Sequence, residues 1–516
     1  MAPTERRLLR GKTITYSQAL DKEINMLQRL EYPARQDEFF DSIWKRRDLI
    51  AEVVCWHLGI SPSACKVVDE EGWRHGSFNL LVPVVFDGFA PVLIRFPLPY
   101  RNGESFRPGN CEEKVKCEAA TYAWIQQECP ELVTPHLYGF GTSGGKCFVS
   151  LEHLPFLTRW REKIRRYFLS FMGYPMPSRF VQRKNSTARD LGPYLLLEWI
   201  PEPKMLSETW KLKRTDKRLR SNLFRGIAGV MLSLSRVPLP RIGSFTIDDN
   251  GYLHLANKPL TVTPAELENE SIPLDFPREQ TIPSVDSYVN SILYCHDSRL
   301  RHQPNAVTSY GDAGSQITAL TLMRTIRPDF FQPKYNYGPF VLCLDDMHAS
   351  NILVDEDWNI RCLVDLEWAS TVPVEFMQPP SWLTDQAVDL IDYEAYDTVR
   401  QEFMDIFEEV ERSYPPVSKE SRADIMKSGW DKGTFWYTLA LRSVTGLHAI
   451  FYDRLQVRYN KNHADEPIFY TTLLHYWTWG GVTIMHDKVK DKEKYDKKLA
   501  EEFDVPTPTT APDLKE

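Results

Sequence analysis

The sequence predicts a mixed α+β protein of two lobes: a small β-rich N-terminal lobe, a larger helical C-terminal lobe, and a cleft between them. Three observations predict it. Short apolar runs on either side of Asp87-Gly88, and another ending at Ile200, have the length and turn chemistry of strands. Beyond Ile200 the apolar residues recur with a helical period instead. Within that helical half, residues 340–364 form a compact β region whose connecting loops gather acidic and amide side chains. A chain of 516 residues has room for such a unit with insertions.

The elements follow in order. Residues 1–60 read as a helical extension, with helices at 14–30 and 36–58. Phe39, Phe40, Ile43, Trp44, Ile50, Val53, Val54 and Trp56 recur near helical spacing, and Asp37 is placed to cap the second helix. Residues 61–200 form the N-terminal lobe. Runs 80–86 and 91–96 make a hairpin, a helix spans about 112–128, and 148–151 and 194–200 are further strands. Residues 201–490 form the helical lobe, with helices near 216–236, 392–412 and 420–458 and strands at 340–344, 351–354 and 360–364. The charged stretch 491–516, ending PTPTTAPDLKE, is expected to be a disordered tail.

Composition narrows the functional classes. Hydrophobic residues are 42% and charged residues 26%, which excludes a mainly disordered or fibrous chain. Lys+Arg 62 against Asp+Glu 70 gives −8, so no general basic field exists and nucleic acid is not an expected partner. The cysteines are scattered without a C-x-x-C, as in a reduced cytoplasmic protein. The N-terminus lacks the apolar core of a signal peptide. Residues 467–485, the longest charge-free stretch tested, contain Thr471, Thr472, His475, Thr478 and Thr483 and are too polar to span a membrane.

Residues 151–192 stand apart. Arg159, Arg161, Lys163, Arg165, Arg166, Arg179, Arg183, Lys184 and Arg189 oppose only Glu152, Glu162 and Asp190, and aromatic residues are interleaved. Two readings remain open: a basic surface for an anionic partner, or an inserted amphipathic helix with a solvated charged face.

The chemistry concentrates in LDDMHASNILVDEDWNIRCLVDLEW, residues 344–368. Asp346 and Asn351 are five apart across a short loop. A hairpin turning at residues 356–359 returns the chain to Asp365 at a strand end, so one edge collects a loop acid, a loop amide and a strand-end acid. Asn and Asp oxygens suit Mg²⁺, which also takes phosphate oxygens and water. A separate carboxylate can accept a hydroxyl proton, as phosphoryl transfer to an alcohol requires. Upstream, the turn Gly76-Ser77-Phe78-Asn79 offers backbone N–H groups that suit phosphates, although any hairpin entry can have this composition. Arg95, in the apolar strand VLIRFP, needs a partner if buried, and Glu118 in the following helix is the natural one. A purely structural Arg–Glu pair is the plainer alternative.

The D-x-x-x-x-N loop followed by D-x-E resembles the kinase-like aminoglycoside phosphotransferase family. The R-F-P-x-P strand end and the SLEHLPF segment are similar to its divergent fungal branch, over roughly residues 70–460. The resemblance implies a protein-kinase-like fold, ATP and Mg²⁺ as cofactors, and a small molecule with a hydroxyl as acceptor. It implies Asp346 as catalytic base, Asn351 and Asp365 as Mg²⁺ ligands, and His348 as the internal loop histidine. It further implies that Glu118 holds Arg95 toward the α/β-phosphates, that Gly76, Ser77 and Asn79 cover phosphates, and that Glu198 and Ile200 in YLLLEWI meet the adenine edge. The chain departs from the family pattern at Leu344 (usually His), Asp345 (usually Gly) and Arg95 (often Lys). Candidate acceptor walls are Glu367, Trp368, Trp436 and Tyr437.

The rival reading of the same residues is a pseudokinase-like binding module that keeps the fold without turnover. Other chemistries lack their motifs. GFGTSGGKC at 139–147 has Phe140 and Cys147 where a phosphate-binding loop needs Gly and Ser/Thr, and neither H-E-x-x-H nor G-x-S-x-G occurs.

Overall fold

The computed structural model describes residues 5–61, 64–201, 204–417, 419–461 and 469–506. Its largest sheet is antiparallel throughout. From one edge the strands run Cys65–Val67, Asn79–Phe86, Phe89–Pro97, Tyr194–Glu198, Leu137–Gly141, Lys146–Ser150 and Phe180–Lys184, while the short strand Arg74–His75 also pairs with Asn79–Phe86. The expected hairpin forms across Asp87-Gly88, with Gly88 in the left-handed region (φ +82°) that glycine adopts without a Cβ penalty. Tyr194–Glu198 lies in the middle of the sheet, with Leu195 opposite Arg95.

Alternation along these strands sorts side chains to two faces. Leu80, Val82, Val84, Val92, Ile94, Phe96 and Leu196 point to one face and pack with Ile43, Ile50, Val53 and Val54. Leu195 and Leu197 point to the other, against the helix Asn110–Glu128 and the main core that continues into the C-terminal half. Arg95 falls on this second face. The sheet is therefore a middle layer, and the N-terminal helices form one of its covers rather than an appendage.

Several elements differ from expectation for identifiable reasons. Residues 14–30 are not one helix. Thr13–Thr15 pairs with Glu5–Arg7, Tyr16–Leu20 is a short helix closed by a Thr15/Gln18 capping box, and a second helix begins at Met26. That helix runs to Lys45 through Pro33, losing one backbone hydrogen bond while burying Tyr32, Gln36 and Ile43. Asp37 consequently sits inside a helix and pairs with Arg7 at 3.0 Å instead of capping. The expected 420–458 helix is broken at Gly433 (φ +84°) into Arg422–Lys432 and Thr434–Arg442, followed by Leu447–Ile450. Helices Val285–His302 and Tyr310–Ile326 went unread because they are buried on several sides. Around the second, Ala313, Gln316, Ile317, Thr318, Leu320 and Met323 are all buried, which erases the one-sided apolar stripe.

The basic segment 151–192 is only partly an insert. Helix Phe156–Phe171 projects from the body, but Phe180–Lys184 pairs with Lys146–Ser150 and forms the sheet's far edge. The end of the chain also departs from expectation. Helix Gly481–Glu502 carries Tyr495 and Leu499 into a cluster with Ile14, Ala19, Met26 and Phe503, and the Met26 N–H donates to the Tyr495 hydroxyl at 2.8 Å. Residues 491–506 are thus structured, and 507–516 lie outside the described residues.

Two outcomes test this packing. Leu499→Ala should lower the unfolding free energy by about 2–5 kcal/mol in urea titration, as for a core leucine, whereas a solvated tail would show no change. His57 is fully buried against Tyr194 (Nε2 to hydroxyl 2.8 Å), and burial first, then His153 and Arg183, lowers its imidazole to about 3. The unfolded chain binds that proton near pH 6.5. Between pH 6.5 and 3 the unfolded state therefore binds more protons, and stability contributed by His57 falls as pH falls, by about 1.4 kcal/mol per unit. His57→Gln should remove that slope from the stability–pH curve.

Candidate active site

Two nested antiparallel ladders build the site. The outer ladder pairs Phe340–Leu344 with Ala369–Pro373 and ends at Leu344 opposite Ala369. The inner ladder pairs Ile352–Val354 with Ile360–Leu363 and begins at Ile352 opposite Leu363. Residues 345–351 and 364–368 are the loops left between the ladders, so they must face each other. The Asp345 N–H donates to the Trp368 carbonyl at 2.8 Å, and the Val364 N–H donates to the Asn351 carbonyl at 3.0 Å. This juxtaposition brings Asp346, Asn351 and Asp365 together, as their spacing implied.

Asn351 Nδ2 donates to the Asp346 backbone carbonyl at 2.9 Å and to its carboxylate at 3.2 Å. His348 Nε2 lies 3.2 Å from the other Asp346 oxygen. Burial, then the carboxylates of Asp365, Glu367 and Asp345, push the Asp346 carboxyl up to about 7, against the pull of the Asn351 hydrogen bond. Burial lowers the His348 imidazole. A cavity of about 330 Å³ opens beside Asp346, walled by Met347, His348, Trp382, Phe435, Leu439 and Arg442. That is within the size range of small-molecule sites.

The loop lacks the histidine and glycine of the family pattern, and other contacts hold it. The Asp345 carboxylate lies 3.4 Å from Arg442 Nε on helix Thr434–Arg442. Trp382 Nε1 donates to the Met347 carbonyl at 2.8 Å, and the Ser207 N–H donates to the Ala349 carbonyl at 3.0 Å. The sequence carried no signal for Arg442 or Trp382, which are remote from the loop along the chain.

Behind the loops lies a buried charge cluster. Arg95 donates from Nη1 to Glu118 at 2.5 Å, from Nη2 to Glu367 at 2.8 Å, and from Nη2 to Asp365. Burial opposes the Arg95 cation, but Asp365, Glu118 and Glu367 outweigh it and hold the guanidinium charged. Burial pushes the Glu118 carboxyl up, with Arg95 opposing. Glu367 is 1% exposed and also accepts from Lys114 Nζ at 2.6 Å and Asn79 Nδ2 at 2.5 Å. Lys114 in turn donates to the Asn79 side-chain oxygen at 2.8 Å. Lys114 and Glu118 are i and i+4 on one helix face, which is the signal that could have found Lys114.

The remaining candidates fall as follows. The Gly76 N–H is bonded to the Asn79 carbonyl, and Ser77 accepts from Arg10 at 3.5 Å. The Asn79 side chain is spent on Glu367 and Lys114. The Glu198 N–H is spent on the His136 carbonyl at 2.8 Å, and Ile200 lies just past the end of strand Tyr194–Glu198. Three suggested acceptor walls are core: Trp368 packs edge-on against Phe78, Trp436 is buried among Tyr393, Trp430 and Phe435, and Tyr437 donates to the Met323 carbonyl at 2.5 Å. The fourth, Glu367, faces Arg95 and Lys114 rather than the cavity.

Asp365 has a left-handed backbone (φ +63°), which costs a non-glycine residue of order 1 kcal/mol. One Asp365 oxygen meets Arg95; its side chain remains 31% exposed. Asn351 uses its amide nitrogen on Asp346, which leaves its oxygen available as a hard donor. Two such oxygens fit Mg²⁺, which usually takes one or two protein oxygens plus phosphate and water. Among the described residues, no group of three or more His, Cys, Asp or Glu side chains is arranged to hold a metal by itself.

No family model matches the chain, and no curated protein matches it. Among solved structures, a Plasmodium vivax ethanolamine kinase aligns over 88% of this chain and 87% of its own, with 12% identity and a TM-score of 0.29. A superposition that loose does not establish a shared fold. Among the described residues, no helix is long and apolar enough to cross a membrane.

Removing Glu367 should leave Arg95 and Lys114 short of a buried counter-charge. Glu367→Ala is expected to cost about 3–5 kcal/mol by chemical denaturation. Glu198→Ala, which loses only an exposed hydrogen bond from the His136 N–H at 3.0 Å, should cost no more than about 1.5 kcal/mol.

Proposed function

We propose that this chain is a kinase-like phosphotransferase, of the aminoglycoside phosphotransferase type, that moves the γ-phosphoryl group of ATP to a hydroxyl of a small molecule. In this reading residues 61–200 and 201–490 act as two lobes, and the reaction occurs where Asp365 and Glu367 reach Arg95. The observation that carries the proposal is the placement of Asp346: a carboxylate aligned by Asn351 at the wall of a small-molecule-sized cavity.

Asp346 accepts the acceptor hydroxyl's hydrogen bond and takes its proton as the oxygen attacks phosphorus. Asn351 restricts the carboxylate's rotation, so the base does not have to be ordered during reaction. Trp382, Phe435 and Leu439 exclude water from the acceptor side. Arg95, aligned by Glu118, supplies the cation nearest the phosphates. The Gly76 N–H, the Asn79 side chain and the Glu198 N–H are already bonded within the protein, so in this reading the turn at Ser77-Phe78 flanks the nucleotide and the backbone beyond Glu198, at Ile200, borders the adenine. Asn351 and Asp365 would hold Mg²⁺, which would offset the negative charge of the phosphates. The scattered cysteines, without a C-x-x-C, fit a reducing cytoplasmic setting.

One observation favours the non-catalytic alternative. Arg95 already meets Glu118, Asp365 and Glu367, so phosphate contact requires it to release a carboxylate. The deciding experiment is ATP consumption with Mg²⁺ across a library of hydroxylated and amino-alcohol metabolites. An acceptor should be found, and Asp346→Asn should lower kcat by about 10²–10⁴ while nucleotide still binds. Asp365→Ala should weaken Mg²⁺-dependent nucleotide binding by calorimetry. Undiminished turnover in Asp346→Asn would refute the mechanism. A wild-type protein that binds ATP and consumes none with any acceptor would establish the binding-module reading.

A further inference from the structure

Helix Phe156–Phe171, FLTRWREKIRRYFLSF, projects an apolar face into solvent. At 100° per residue, Phe156, Tyr167, Trp160, Phe171 and Ile164 follow one another around the helix over 80° of arc, and Leu157 and Phe168 extend the band to 120°. Every one of these side chains is exposed, from 45% for Ile164 to 81% for Leu157. The band continues past the helix with exposed Met172, Tyr174 and Met176. A folded chain does not leave a contiguous aromatic surface of this kind in water without a use for it.

The opposite side fastens the helix in one orientation. Glu162 is buried and takes Arg165 at 3.2 Å, Arg166 donates to the Pro177 carbonyl at 3.1 Å, and Leu169 lies near Trp124 and Tyr252. The apolar face is therefore displayed by the fold.

The charges decide what covers it. Lys163 and Arg159 border the band on one side, and Arg161 and Arg165 on the other. Within the helix, five cations (Arg159, Arg161, Lys163, Arg165, Arg166) against Glu162 give 5 − 1 = +4, on a chain whose balance is −8. No acid lies on the apolar face, and the helix's one acid, Glu162, is buried on the opposite side, where it lies 3.2 Å from Arg165 and 3.8 Å from Arg161. A second copy of the chain would bring two cationic rims together, which disfavours self-docking. A helix-binding groove on another protein typically takes a narrow i, i+3/i+4, i+7 stripe, whereas this band is broad and flat. A wide aromatic face with amphipathic Trp and Tyr rings, rimmed by Arg and Lys, matches a helix lying in the plane of an anionic bilayer surface.

We propose that helix Phe156–Phe171 is a peripheral membrane-docking element. It lies parallel to a negatively charged lipid surface, with Phe156, Trp160, Ile164, Tyr167 and Phe171 inserted at the headgroup–acyl boundary and the basic rims on lipid phosphates. Sixteen residues give a contact about 24 Å long. The association is reversible and surface-bound, consistent with the absence of a spanning helix among the described residues. It does not depend on the phosphotransferase reading.

The test uses the full chain in vesicle flotation. One set of vesicles is pure phosphatidylcholine and the other contains about 30% phosphatidylserine, a charge density that attracts basic segments. Binding should be at least about tenfold tighter to the anionic vesicles and should weaken as salt rises. The double variant Trp160→Ser/Phe171→Ser, and separately Arg161→Glu/Lys163→Glu, should each lose about tenfold or more on anionic vesicles. Their thermal unfolding should be unchanged, because the replaced side chains are exposed. If a variant unfolds, the wild-type comparison between the two vesicle types decides alone. Failure of the wild type to bind either vesicle, or equal binding to both, would overturn the proposal. So would a lipid-free dimer, seen by sedimentation, that Trp160→Ser dissolves.

Discussion

The buried guanidinium of Arg95 is the constraint around which the other parts are arranged. It sits mid-strand at 6% side-chain exposure, where an uncompensated charge would cost several kcal/mol. The fold satisfies it from separate elements: Glu118 from the helix covering the sheet, and Asp365 and Glu367 from a loop about 270 residues later. Lys114 and Asn79 then satisfy the remaining capacity of Glu367. A cluster of this kind contributes little net stability over apolar packing, but removing any member strands the others. Its consequence is geometric: it fixes where the 364–368 loop sits relative to the sheet.

That placement sets the electrostatics of the cavity. Asp346 is not itself in the Arg95 cluster, yet it feels Asp365, Glu367 and Asp345 nearby and lies largely out of water. Its neighbours therefore disfavour its ionised form, while Asn351 holds it in place. The same acids that neutralise Arg95 tune the group proposed to accept a proton. The departures at Leu344 and Asp345 are absorbed locally. Backbone pairing of Leu344 with Ala369 needs no particular side chain, and Asp345 gains a partner in Arg442. Charge is also distributed between regions: acids collect at the site, and cations collect on a projecting helix that connects the two strands at the sheet's edge, Lys146–Ser150 and Phe180–Lys184.

Much of the candidate site was legible along the chain, because its residues lie close together in sequence. Residues 344–368 hold the loop acid, the amide and the strand-end acid within one double hairpin, and local pairing alone makes them converge. Arg95 with Glu118 was legible for another reason: a cation in an apolar strand demands a counter-ion, and the next helix offered one. What could not be read were contacts made across long separations. Arg442 and Trp382 have no local signature, and the i, i+4 spacing that places Lys114 beside Glu118 does not reveal that Lys114 engages Glu367. The aromatic residues assigned to the cavity wall belong to the core, since composition does not distinguish a buried tryptophan from one lining a cleft.

The sequence by itself determined the elements with strong local codes: the Asp87-Gly88 hairpin, the 112–128 and 216–236 helices, and the nested turns around Asp346 and Asp365. These depend on turn chemistry and one-sided periodicity, which act over a few residues. Only the tertiary structure decided that the N-terminal helices cover the sheet, that the C-terminal helix closes against Ile14 and Met26, and that one short stretch of the basic segment, Phe180–Lys184, is a sheet edge. It also decided that the helix Phe156–Phe171 shows its apolar face outward. An amphipathic sequence specifies which residues share a face, but which way that face turns depends on what the rest of the chain leaves available to bury it.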